Sequence, residues 1–180
     1  MTDNENGKKM VEEMELSHFL DAYRQTTGRR LSSVYANEKP DFICVWPNGK
    51  RVGIELTKAN GDLGLAKWEK ILDGSYRFDP FFVLDCVYAA VGAKESKWMS
   101  YRFIGDTILV LQFDCYPLSD MEGFLTVDLA KDFEESDFTE IWIADYTTVE
   151  PYGGVELFGL KPAEWWGYHP REDFSGKPYG

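Results

Sequence analysis

The chain has 180 residues, of which 16% are aromatic, and a formal net charge of −12. The length favours a single domain over residues 1–180, the aromatic content excludes a largely disordered chain, and no apolar run of about 20 residues predicts a membrane span. The negative charge disfavours non-specific nucleic-acid binding, which comes mainly from Lys and Arg on phosphates. Three kinds of binding remain compatible with this charge: a local basic cleft, a basic protein partner, or a site that needs a divalent metal to accept phosphate.

The first segment, residues 1–9, is polar and is expected to be flexible. The start of the chain has no signal-peptide core, which predicts a cytoplasmic protein. Residues 10–27 carry apolar side chains at helical spacing and predict a helix, and a short strand is predicted over 30–36. Within the helix, Glu12 lies close to the centre of the apolar face and Glu15 lies at its edge.

The clearest strands are residues 41–46 and 51–57, and the Asn-Gly pair between them is a strong hairpin signal. The two strands are therefore predicted to pair antiparallel. Asp41 opens the first strand and Glu55 lies near the end of the second, so the two carboxylates are expected to converge at one end of the hairpin. Carboxylates in such positions are costly unless they are paired or bind a metal, and two of them with waters and a substrate phosphate suffice for Mg²⁺. Spacing alone also allows a pair of solvated acids at strand ends.

The remaining elements complete an α/β pattern. They are helices over 64–74 and over 80–103 with a break at Gly92, a buried strand over 106–114, a helix within 118–138, and strands over 140–146 and 154–160. This order of elements predicts a mixed central β-sheet flanked by helices. Three cysteines that are far apart and only two histidines indicate neither a disulfide framework nor a histidine-rich metal centre.

The hairpin residues resemble a known nuclease motif. Pro40-Asp41, followed by Glu55-Leu56-Thr57-Lys58 at the end of the next strand, is similar to the motif of the PD-(D/E)xK superfamily of restriction-endonuclease-like nucleases. The resemblance implies an αβββαβ core over residues 10–115. Residues 116–180 would extend the sheet and are similar to phage- or prophage-type members of the group.

The resemblance also implies the chemistry. It suggests a nuclease that hydrolyses DNA phosphodiester bonds with Mg²⁺ or Mn²⁺ as its cofactor. Asp41 and Glu55 match the two metal-binding acids of the motif. Glu12 or Glu15 matches the accessory acid on the preceding helix, although carboxylates are also common in the first turns of ordinary helices.

The motif lysine departs from the family pattern. It is expected at position 57, where this chain has Thr57, and Lys58 comes one residue late, on the opposite face of a regular strand. A bulge would re-aim Lys58, or Lys67 or Lys70 on the next predicted helix would reach back to the site. The third possibility is that the site has lost its cation and only binds.

That last possibility leads to a second interpretation of the whole chain. A non-catalytic acidic binding protein on the same fold, such as an inhibitor or immunity-type partner of a basic protein, also suits the charge of −12. Two further groups bear on ligands. Arg29-Arg30 suits either phosphate or the end of a helix, and Trp165-Trp166 with Tyr168 suits either base stacking or the edge of a core.

Overall fold

The structure, a computed structural model, describes residues 3–60, 69–70, 72–75, 77–101 and 105–174, without the side chains of residues 3–5, 33 and 34. The centre of this described part is a seven-stranded sheet in which the strands follow one another in space as they do in the chain. The strands are β1 (Ser32–Ala36), β2 (Phe42–Val45), β3 (Arg51–Lys58), β4 (Thr107–Phe113), β5 (Glu140–Asp145), β6 (Glu156–Lys161) and β7 (Gly167–His169).

Strand directions make the sheet mixed. Strands β1, β2 and β3 form an antiparallel meander, β3, β4 and β5 run parallel, and β6 and β7 return antiparallel. The α-helices are α1 (Asp3–Thr27), α2 (Pro80–Glu95), α3 (Leu118–Met121), α4 (Val127–Asp132) and α5 (Val149–Tyr152). The predicted mixed sheet with flanking helices is confirmed. None of the helices in the described ranges is long and apolar enough to span a bilayer.

The hairpin forms as its turn residues predict. Phe42 pairs with Ile54, and the turn closes with a hydrogen bond from the Gly49 N–H to the Trp46 carbonyl at 2.9 Å. Gly49 has a φ of 84°, a left-handed conformation that glycine adopts without the penalty of a side chain. Local turn chemistry therefore fixes the register of β2 against β3.

The sheet separates two buried clusters, one on each face. On one face α1 packs Phe19 and Tyr23 against alternate residues of the central strands, such as Ile54 and Val110. On the other face α2 covers the intervening residues, such as Leu109. Because successive side chains of a strand point to opposite faces, the apolar runs of β4 and β5 supply both clusters at once.

Some predicted boundaries differ from the structure. Helix α1 begins at Asp3 rather than at residue 10. Helix α2 continues through Gly92 and ends at Glu95, so the predicted break and the predicted extension to residue 103 are wrong. A single glycine costs a helix only about 1 kcal/mol, which the buried valine face of α2 offsets. The predicted helix over 64–74 lies largely outside the described residues.

The C-terminal third is more finely divided than predicted. The single helix expected within 118–138 is two short helices, α3 and α4, and the turn expected before β6 contains α5. Strand β7 was not predicted, because its three residues carry no periodic pattern that distinguishes a strand from a loop.

Candidate active site

The antiparallel register of β2 and β3 brings Asp41 and Glu55 together. Because Phe42 pairs with Ile54, Asp41, one residue before β2, lies beside Glu55. The backbone N–H of Asp41 donates to Glu55 Oε2 at 3.2 Å, and Asp41 Oδ2 accepts from the backbone N–H of Leu56 at 2.8 Å. Two acidic side chains thus lie next to each other at one end of the hairpin.

Glu55 is the buried member of the pair. The residue is 3% exposed, and the alternation of β3 directs its side chain toward the face that α2 covers. There the Lys94 ammonium, in the last turn of α2, donates to Glu55 Oε1. The Tyr101 hydroxyl also lies close by, and burial followed by the charges of Glu55 and Asp41 raises the pKa of this tyrosine. A buried carboxylate is stable only with such a partner, so Lys94 is the counter-ion of Glu55.

Asp41 is partly buried and is short of positive charge. Burial and, next, the nearby Glu55 carboxylate raise the pKa of Asp41 to about 6. The hydrogen bond from the Leu56 backbone and the charge of Lys94 act in the opposite direction without cancelling this rise. A carboxyl group with this pKa changes its protonation near neutral pH, and a second cation would relieve its repulsion with Glu55.

A pocket of about 310 Å³ opens at this end of the sheet. Asp41 lines it together with Glu12 and Glu15 from α1, and Lys94 lines it from the α2 side. With Lys58 at the end of β3, the pocket therefore collects three carboxylates and two ammonium groups from different elements. The two glutamates of α1, which sequence analysis placed on or beside the apolar face, are half-buried at its wall.

Gln112 is the polar residue of β4 that reaches the same pocket. It is 4% exposed, and its Nε2 has no hydrogen-bond partner among the described residues, although it lies near the Tyr146 hydroxyl. Buried amides without partners are uncommon in folded proteins and costly. The Nε2 atom is fully buried, so this amide is a polar group inside the wall of the pocket rather than a donor exposed to its contents.

The lysines named from the sequence lie in different places. Lys58 lines the pocket, but its ammonium is paired with Asp114 Oδ2 at 2.8 Å. Lys70 is exposed and contacts neither acid within the described residues, and Lys67 lies outside those residues. The lysine that does contact Glu55 is Lys94, which sequence analysis missed.

A signal for Lys94 was present in the sequence. The buried face of α2 carries Val83, Val87 and Val91 at intervals of four residues, and Lys94 continues that face one turn later. A lysine that extends an apolar helix face points toward the sheet rather than toward solvent. What the sequence did not provide was the strand residue that this lysine would meet.

The donor set suits a hard divalent cation with an incomplete protein shell. Among the described residues, no group of three or more His, Cys, Asp or Glu side chains is arranged to hold a metal ion. Asp41 and Glu55 nevertheless offer oxygens, the ligands that Mg²⁺ prefers, and each carboxylate has about four acceptor positions. Mg²⁺ usually keeps several waters and takes only one or two protein carboxylates. The residues present therefore fit such an ion, with waters or substrate oxygens completing its shell.

Comparison with known proteins adds no relative. No family model matches the chain, and neither a curated protein nor a solved structure shows significant similarity to it. The proposed function therefore rests on the geometry and chemistry of the site.

Proposed function

We propose that the protein is a metal-dependent nuclease with a restriction-endonuclease-like core, which hydrolyses phosphodiester bonds of DNA. The observation that carries this proposal is the group of Asp41, Glu55 and the Lys94 ammonium at the open end of one hairpin. Two acids and one lysine are the functional groups that the PD-(D/E)xK resemblance requires, with the lysine supplied by α2 in place of position 57.

The arrangement of elements supports the same proposal. The elements given above from α1 to β4 follow the order helix, three strands, helix, strand, which matches the αβββαβ order implied by the resemblance; residues 61–68, between β3 and α2, lie outside the described part. The central strand β4 lies parallel beside β3, so the strand that carries Glu55 is flanked on both sides. This placement holds the Glu55 backbone rigidly, as a catalytic group requires.

Each residue has a distinct role in the proposed reaction. Asp41 and Glu55 would hold the cation, which supplies polarisation of the phosphoryl oxygen and a more acidic bound water. The Lys94 ammonium lies where it can stabilise negative charge that develops on the phosphate.

The second candidate function is a non-catalytic acidic binding protein on the same fold. The Lys94 contact favours it, because Glu55 already has a counter-ion and does not need a metal to be stable. The net charge of −12 favours a basic protein as the partner. Under this interpretation Asp41, Glu12 and Glu15 form an acidic surface rather than a catalytic centre.

A cleavage experiment separates the two functions. Purified protein is incubated with single- and double-stranded DNA and RNA in Mg²⁺, in Mn²⁺ and in EDTA. A nuclease should cleave DNA only with metal and should lose cleavage in Glu55→Gln and in Lys94→Met. Lys97→Met is the matched control, because Lys97 is exposed nearby and contacts neither acid among the described residues.

A lysine transfer sharpens the result. Thr57 lines the same pocket, so Thr57→Lys in the Lys94→Met background should restore part of the cleavage by returning an ammonium to the position expected from the motif. If no nucleic acid is cleaved with either metal, the nuclease proposal is wrong. A pull-down that recovers a basic partner in a salt-sensitive complex would then support the binding protein.

A further inference from the structure

A second and larger cavity lies at the other end of β3. Its volume is about 690 Å³, against about 310 Å³ for the candidate active site. Val52 lines the larger cavity and Leu56 lines the smaller one, and four residues of strand place them about 13 Å apart. The larger cavity is thus a separate place on the molecule, and its use does not depend on the proposed nuclease activity.

The cavity has a partly apolar wall. The half-buried Trp46 and Pro162 line it, and the core residues Val52 and Ile108, both 0% exposed, lie at its base. Cavities of this volume with apolar and aromatic walls and a few convergent polar groups are typical of small-molecule sites. A flat ring is the ligand shape that buries the most area between an indole and an aliphatic surface.

Arg29 is held rigidly in the wall of this cavity. Its guanidinium donates to Glu140 Oε1 at 2.9 Å and to the exposed Glu164 at 3.3 Å, and lies 6.0 Å from the Trp46 ring centroid and 5.3 Å from that of Trp165. Glu140 is itself fixed by the Tyr23 hydroxyl. Some of the five N–H donors of an arginine fixed in this way remain available to a ligand. Because the side chain is already ordered, ligand binding costs it little conformational entropy.

Two further cations line the cavity. Lys50 pairs with Asp106 at 2.5 Å, and Arg30 makes no ion pair with any described residue. The lining carries Arg29, Arg30 and Lys50 with the carboxylates of Asp106 and Glu140, and Glu164 also pairs with Arg29. On a chain with a net charge of −12, three cations thus balance three carboxylates here, and Arg30 is the cation without an ion pair among the described residues.

We propose that this cavity binds a nucleoside monophosphate, with the base against Trp46 and Pro162 and the phosphate at Arg30 and Lys50. A phosphate monoester carries nearly two negative charges. Two basic side chains therefore attract it more strongly than they would attract a ligand with a single carboxylate. Asn48 and Thr139, which also line the cavity, offer hydrogen bonds to the edges of the base and the sugar.

Calorimetric titration of the wild-type chain tests this proposal. AMP, GMP, CMP and UMP are the probes, with adenosine and inorganic phosphate as the two halves of the ligand. At least one monophosphate should bind at one per chain, and both halves should bind about tenfold more weakly or worse, because each lacks one set of contacts. If none of the four binds, the proposal is wrong.

Variants locate the binding. Arg30→Ala should weaken the monophosphate at least about tenfold, and Trp46→Leu should weaken it as well. Arg51→Ala is the matched control, since Arg51 neighbours Lys50 in the chain and does not line the cavity. Binding that survives Arg30→Ala but is lost in Asp41→Asn would place the nucleotide at the candidate active site and overturn the assignment. A failed nuclease assay leaves this test unaffected.

Discussion

Two buried carboxylates on opposite faces of the same sheet are satisfied in different ways. Glu140, 7% exposed, accepts from the Tyr23 hydroxyl at 3.1 Å, from Trp142 Nε1 at 2.8 Å and from the Arg29 guanidinium at 2.9 Å. Glu55, 3% exposed, has one ammonium, one backbone N–H and the nearby Tyr101 hydroxyl, and a second carboxylate lies against it. The first is surrounded by donors, whereas the second shares its surroundings with another acid.

This difference separates a structural group from a functional one. A buried charge with a full set of donors contributes rigidity, and removing it leaves its donors without partners. Two neighbouring buried carboxylates repel each other, and this repulsion lowers the stability of the fold. A cation or a proton is therefore expected to act at the Asp41–Glu55 pair, whereas Glu140, on the opposite face of the sheet, positions Arg29.

The largest expected effect comes from removing Glu140. Glu140→Ala should lower the free energy of unfolding by about 3 kcal/mol, because Tyr23, Trp142 and Arg29 lose their common acceptor. Urea unfolding measures this loss. Glu164→Ala is the control, since Glu164 is an exposed partner of the same Arg29 and should cost less than about 0.5 kcal/mol. Equal losses in the two variants would mean that Glu140 contributes no more to stability than an exposed carboxylate does.

Removing Lys94 should have the next largest effect. Lys94→Met leaves Glu55 buried beside Asp41 without its counter-ion and should cost ~2 kcal/mol, less than a fully buried pair because the Lys94 side chain is 21% exposed. Added Mg²⁺ should recover part of this loss if the two acids hold a cation. A loss that Mg²⁺ leaves unchanged would argue against the cation site and for a purely structural pair.

The pH dependence of stability should distinguish Asp41. Its pKa is raised from an ordinary 3.8 to about 6, so the folded state holds a proton that the unfolded state has released. The stabilising contribution of this proton is complete below pH 3.8 and is lost as the pH rises through about 6. The difference between wild type and Asp41→Asn, followed by urea unfolding from pH 4 to pH 7, should show this loss. A difference that is flat over this range would contradict the raised pKa.

The smallest effect is expected at Lys58. Its pair with Asp114 joins side chains that are 60% and 31% exposed, so Lys58→Ala should change the free energy of unfolding by less than about 1 kcal/mol. In the cleavage assay, Lys58→Ala should retain more activity than Lys94→Met, since only Lys94 contacts Glu55. If Lys58→Ala lost more activity than Lys94→Met, Lys58 would be assigned the role of the motif lysine.

The parts of the fold that the sequence predicted depend on short-range signals. The hairpin follows from an Asn-Gly turn between two apolar strands, and the buried strand β4 from a continuous apolar run, both of which are visible within ten residues. The break expected at Gly92 was wrong because the packing of the α2 valines on the sheet outweighs the propensity of one glycine.

The candidate site was only partly predictable for a physical reason. Asp41 and Glu55 are joined by the local register of a hairpin, so turn chemistry alone brings them together. The contact of Lys94 with Glu55 spans 39 residues and depends on how the α2 crossover lies on the sheet. Gln112 could be placed on a strand, but whether a buried amide finds a partner is decided by its neighbours in three dimensions.

The strand order has a consequence for how the chain acquires its structure. Because every strand pairs with the one before it, the sheet can grow from β1 to β7 as the chain leaves the ribosome, without waiting for a later segment to be inserted. Helix α1 is different, since Tyr23 meets Glu140 only across 117 residues. Such distant contacts close late and slow the final step. Because α1 also packs on β3 and β4, we expect it to dock on these strands first, and the Tyr23–Glu140 hydrogen bond to form only when β5 is in place.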